Sequence, residues 1–175
     1  MFPELVKRAA GGSVKGLVVY DSVFGNTKQV AEAVAEQIRA DGHSAELVSL
    51  RSGGKEQAGA DFMFVGGPTR FKKMTRHVKR FMKGLDKGYW SSRPICAFDT
   101  HGQPGKTEEE QRKGDKWINP GAAGGIIALG GKLGLKMHPT PLRCAVMDLK
   151  GPLEQGSLEK AKAFTHDFVA SLQRP

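Results

Sequence analysis

A chain of 175 residues, 39% hydrophobic and 26% charged, is long enough to close one full core and short for two. No apolar stretch approaches the ~20 residues that cross a bilayer as a helix, and residues 1–16 hold Lys7 and Arg8 without an apolar core of signal-peptide length. A membrane-embedded or exported protein is therefore not indicated, and a cytoplasmic location is expected. The formal charge of +9 is partly local: seven Lys/Arg and no carboxylate lie between Arg70 and Lys83. Such a block is either a solvated helix face or a surface that attracts acidic proteins, nucleic acid or anionic membrane.

In chain order, an N-terminal extension over residues 1–15 precedes one domain over 16–175. Leu17–Tyr20 is a short apolar run with the character of a strand buried on both faces. It breaks into a hydroxyl- and glycine-bearing loop that enters a helix over Asn26–Ala40, where Val30, Val34 and Ile38 recur on one face. Further apolar runs at Ala45–Leu50, Phe62–Gly66, Ile95–Phe98 and Leu142–Met147 read as strands. Helical periods fall over Lys73–Leu85, Ala122–Leu135 and Leu153–Leu172, with a glycine-crowded and weakly supported element near Gly54–Gly59. Residues 100–121 form an oversized connection, functional or mobile. Alternation of this kind predicts an α/β fold: a three-layer sandwich around a doubly wound, five-stranded parallel sheet of order 2-1-3-4-5. Ligands of such sheets lie beyond the carboxyl ends of the strands, beside the switch point.

The loop after the first strand is built for an anion. Ser22 and Thr27 offer hydroxyls, Gly25 allows close backbone approach, and the free amides of a helix start point at whatever is held there. The loop has neither the spacing of a nucleoside triphosphate site nor the three glycines of the dinucleotide fingerprint. Ser22, Gly25, Asn26 and Thr27 resemble the phosphate loop of flavodoxins and flavodoxin-like proteins, in which Ser/Thr, two variable residues and Gly-Asn-Thr hold the phosphate of FMN. Val23 and Phe24 stand where many flavodoxins carry threonines, so backbone amides must replace those contacts.

Two further loops extend the resemblance. After the third strand, Pro68 fixes the backbone, Thr69 supplies a hydroxyl and amide, Arg70 follows, and Phe71 offers a ring for an offset stack. After the fourth, Asp99, Thr100, His101 and Gly102 form a polar turn suited to the pyrimidine edge of a flavin. Gly121–Gly125 and Lys150–Leu153 are also similar to that group, so the likeness runs from about Gly16 to Leu172. It implies an FMN-binding electron-transfer protein whose cofactor performs the chemistry. Cations at Arg70, Lys72 and Lys73 near the ring would raise its reduction potential.

Two other readings stand beside it. The run from Pro68 to Met74 with Gly88-Tyr89-Trp90 looks like the flavodoxin-like NAD(P)H:quinone oxidoreductases, in which a tryptophan at the position of Trp90 lines the substrate pocket. The other is a flavin-free interaction module that uses the basic helix. The expected partner is a redox protein with an acidic docking surface, with nucleic acid less favoured and oligomerisation left open. Trp117, a large apolar residue in a polar insert, is expected to pack on something, with a flavin face and a second subunit as the candidates. His101 is a candidate proton donor, although a loop histidine is more often merely solvated. No Cys/His cluster has metal-ligand spacing, so no metal is expected, and Cys96 and Cys144 read as reduced, buried thiols.

Overall fold

The computed structural model describes residues 12–53 and 59–172. Five parallel strands form one sheet: β1 (Lys15–Tyr20), β2 (Ser44–Ser49), β3 (Phe62–Pro68), β4 (Ile95–Gly102) and β5 (Leu142–Val146), in the order β2-β1-β3-β4-β5. The expected switch point is therefore present between β1 and β3, whose crossovers leave the sheet on opposite sides. Registers carry the strand ends forward together, with Tyr20 beside Gly66, Pro68 beside Thr100 and Gly102 beside Val146.

Helices cover both faces, as a sheet with wholly apolar central strands requires. On one face α1 (Asn26–Ala40) and α6 (Ser157–Leu172) pack over Val18, Phe62, Phe64 and Phe98. Phe168 of α6 meets Phe62 and Phe64 edge to face at 5.7 and 5.2 Å, contacts worth about 0.5–1.5 kcal/mol each beyond area burial. The opposite face is covered by α2 (Arg76–Gly84), the short α3 (Lys87–Trp90) and α5 (Gly121–Lys132), over Leu17, Met63, Val65 and Ala97. Val78 and Met82 of α2 are buried in this layer, as its periodicity predicts.

Three departures from expectation bear on function. The connection after β4 is not structureless: Glu108–Ile118 forms a helix, α4, opened by a capping box in which Thr107 and Glu110 satisfy each other's backbone amides. Trp90 is fully buried beneath β3 rather than lining a pocket, with Tyr89 Oη donating to the Ala60 carbonyl at 2.6 Å. The quinone-reductase resemblance thus loses its pocket tryptophan. α2 begins at Arg76 rather than Lys73, because residues 70–73 close a tight turn of their own before Thr75 caps the helix. The element expected near Gly54–Gly59 and the bulk of the N-terminal extension lie outside the described residues. Cys96 and Cys144 are buried and free.

Candidate functional site

The carboxyl ends of β1, β3, β4 and β5 surround a cavity of about 390 Å3, within the range that holds a small-molecule cofactor. Its polar floor comes from the loop after β1. Gly25 is the N-cap of α1 with φ +93°, a left-handed conformation natural to glycine, and no side chain caps the helix there. Ser22 Oγ accepts from the amides of Gly25 at 3.1 Å and Lys28 at 3.3 Å, and Gln29 makes the helix's first bond to the Gly25 carbonyl at 3.1 Å. The amides of Asn26 and Thr27 precede that first bond and face the cavity end of the helix. Their donor character and the positive end of the helix dipole suit a phosphate.

A buried hydrogen bond of 2.8 Å joins the hydroxyls of Thr27 and Thr100, so the phosphate loop and the end of β4 are positioned by one contact. Thr69 is fixed just as firmly. Its amide donates to the Thr100 carbonyl at 2.8 Å, and its hydroxyl donates to Asp99 Oδ2 at 2.9 Å while accepting from the Ala122 amide at 2.9 Å.

Asp99, expected to read a flavin edge, lies instead beneath the cavity. It is fully buried and receives Arg143 Nε at 3.0 Å, Arg143 Nη2 at 3.1 Å and the Ala123 amide at 3.0 Å. Arg143 continues to the Ile118 carbonyl at 2.9 Å, so β3, β4, β5 and the start of α5 converge on one carboxylate. A second buried carboxylate does the same on the other side. Asp21, at the end of β1, accepts from Arg51 Nε at 2.6 Å and Thr75 Oγ1 at 2.5 Å and lies 3.5 Å from His77 Nδ1. It anchors the start of α2 to the phosphate loop.

Ser22, Val23, Phe24, Asn26, Thr27, Pro68, Thr69, Arg70, Thr100, His101 and Gly102 all line the cavity, and Gly25 sets the loop from below. His101 Nδ1 lies 2.7 Å from the Gly102 carbonyl. Phe71 is not among the lining residues. It projects outward, 76% exposed, at φ +46° and beside Lys72 at φ +58°. Its neighbour is Trp117 of α4, 60% exposed, with ring centroids 5.8 Å apart. The cavity's aromatic surface belongs to Phe24, over which the Arg70 guanidinium sits at 5.3 Å and Lys150 Nζ at 5.9 Å.

The loop after β5 was missed by sequence reasoning. Val146, Met147, Asp148 and Leu149 form a fourth wall, and the Met147 and Leu149 side chains are exposed. The signal that could have found them is topological, since every strand end on the switch-point side borders the cavity.

Comparisons with known proteins agree with this architecture. Residues 17–119 match the family described as Flavodoxin domain. A curated flavodoxin of Aquifex aeolicus is 36% identical over 93 residues, covering 50% of each chain, so this chain spans about half the length of that relative in the match. Among solved structures, a flavodoxin from the domain Archaea superposes with a TM-score of 0.69 at 21% identity, over 91% of this chain and 99% of that one. Oxidised Flavodoxin 1 from Bacillus cereus gives 0.68 at 17% identity, over 89% and 97%. A WrbA-like flavodoxin protein from Agrobacterium tumefaciens gives 0.62 at 21%, over 93% and 100%. These structural likenesses establish the shared fold, and the match over residues 17–119 establishes the lineage: the chain belongs to the flavodoxin-domain family.

Proposed function

We propose that this chain binds FMN in the cavity at the strand ends and serves as a cytoplasmic electron carrier. The observation that carries the reading is the Gly25-capped start of α1, which brings the leading helix amides, Ser22 and Thr27 to the same cavity as Thr69 and Thr100. That donor set fits a phosphate followed by a polyol. The apolar lining of Phe24, Val146, Met147 and Leu149 fits a flat ring system.

Bound FMN would supply the electron-storing chemistry. The amides of Asn26 and Thr27 with Ser22 and Thr27 would hold its phosphate, Thr100 would reach its polyol, and Phe24 and Met147 would meet the ring, with Thr69 shaping the wall between them. Asp99 and Asp21 act at one remove by fixing Thr69 and the phosphate loop. Arg70, at the cavity rim, places a positive charge where added electrons would accumulate negative charge, and so favours the reduced state. The compartment is proposed in keeping with two free, buried thiols.

The test is a visible-absorption titration of the purified chain with FMN, followed by anaerobic reduction. Saturable binding, and reduction that requires a separate reductase, is the expected result. Absence of FMN binding would overturn the reading, and turnover of NAD(P)H with quinones by the chain alone would reassign it as a quinone reductase.

A further inference from the structure

The turn over residues 70–73 holds two bulky side chains in a conformation that ordinarily selects asparagine and glycine. Arg70 and Lys73 exchange both backbone hydrogen bonds at 2.9 Å, and the two residues between them, Phe71 and Lys72, have φ of +46° and +58°. Consecutive positive φ angles are the mark of the tightest hairpin turns, in which Asn-Gly is the usual pair. A left-handed conformation at Phe71 costs free energy, yet the ring it directs outward buries little of itself. The turn is also tied down, because the Lys72 amide donates to the Trp117 carbonyl at 2.9 Å. The outcome is a fixed aromatic pair, Phe71 and Trp117, standing clear of the surface.

Cations continue from this turn along α2. Lys72, Lys73, Arg76, Lys79, Arg80 and Lys83 are exposed, and none joins an ion pair among the described residues. The face adjoins the cavity directly, since Arg70 lines the cavity and is the first residue of the turn.

We propose that this face, the turn over residues 70–73, α2 and Trp117, is the docking surface for an acidic protein that exchanges electrons with the cavity's cofactor; the exchange, though not the docking, rests on the FMN reading. A fixed aromatic pair at the head of a basic helix has the anatomy of an interface anchor: the rings supply area at low entropic cost and the charges steer approach. Two other occupants of a basic face fit less well. A bilayer needs an apolar stripe to insert, and the apolar stripe of α2, Val78 and Met82, is buried in the core. A nucleic acid strand extended along α4 would meet the carboxylates Glu108, Glu109 and Glu110 in its first turn.

The experiment uses the full chain and three probes: an acidic plant-type ferredoxin, a short DNA duplex and phosphatidylserine vesicles. Each is titrated calorimetrically at ~0.01 M and ~1 M ionic strength, where screening lengths are about 30 and 3 Å. The ferredoxin is expected to bind most tightly, to weaken at least about tenfold at high salt, and to weaken similarly in Lys79→Glu/Arg80→Glu. Phe71→Ser should weaken it with the salt dependence retained. Tighter binding of DNA or vesicles, or a ferredoxin affinity unchanged by the double charge reversal, overturns the proposal. FMN binding is read separately by absorbance, so loss of the cofactor reading and loss of the docking surface are distinguishable.

Discussion

The hydroxyl oxygens of Thr27 and Thr100 lie 2.8 Å apart and buried, joining the first turn of α1 to the end of β4. Each residue also lines the cavity, so the contact links stability to ligand affinity. Thr100→Val leaves the Thr27 hydroxyl without this partner, at an expected cost of about 1–2 kcal/mol. Thermal unfolding without FMN should show it as a fall in Tm of about 2–4 °C per kcal/mol. FMN should bind roughly tenfold more weakly to the same variant. The double variant Thr27→Val/Thr100→Val should recover part of the stability but not the affinity, because removing both polar partners is cheaper than stranding one. Equal recovery of both would show that neither hydroxyl serves the ligand.

Arg143 and Asp99 give a prediction about residues that touch no ligand. Arg143→Met leaves a fully buried carboxylate without its cation, and loss of one partner of such a pair costs about 3–5 kcal/mol. Asp99→Asn/Arg143→Met should restore much of that loss. Gly121→Ala should resemble the single arginine variant, because a Cβ there would collide with Arg143 Nη2 and Asp99 Oδ2. Denaturant midpoints order the four proteins, and an Arg143→Met protein as stable as the parent would remove the carboxylate's organising role.

The parts of the molecule set by short-range pattern were legible in the sequence. The α1 span of Asn26–Ala40 follows from apolar periodicity, and the strand order matches the one expected from alternating elements joined by right-handed crossovers. Periodicity could not reveal α4, because a helix that buries only Ile118 has no apolar face to announce it. Its signal was polar instead, the pairing of Thr107 with Glu110. The site shows the same division. Loop residues with hydroxyls were found, whereas Asp99 looked like a ligand-facing residue because its partner Arg143 lies 44 positions away, on another strand. Phe71 escaped for a different reason: nothing in a Phe-Lys pair suggests two positive φ angles, which the surrounding turn and Trp117 impose.

That imposed conformation should be measurable. Lys72→Gly and Lys72→Ala remove the same charge, but only glycine adopts φ +58° without penalty. The glycine variant should therefore be more stable than the alanine variant by about 1–2 kcal/mol. A Tm difference of a few degrees between the two would follow. Indistinguishable melting curves would mean that the turn carries no strain in solution.

The two thiols give a prediction with a definite pH window. Burial pushes the Cys96 thiol far up, and burial followed by the nearby Asp99 and Glu154 charges raises Cys144 to about 11, against an opposing pull from Lys160. A folded chain that holds these protons more tightly than the unfolded chain is stabilised fully below the unfolded value and loses that stability as pH rises toward the folded one. For Cys144 the window runs from its ordinary 9.0 to about 11 and is worth roughly 3 kcal/mol. Denaturant unfolding across that range should show stability falling, and Cys144→Ala should flatten the fall. A thiol-specific chromogenic reagent at mildly alkaline pH should count no reactive thiol in the folded chain and two in denaturant. Prompt reaction of either cysteine in the folded chain would show that the sheet opens at β4 and β5, the two strands that also carry Asp99 and Arg143.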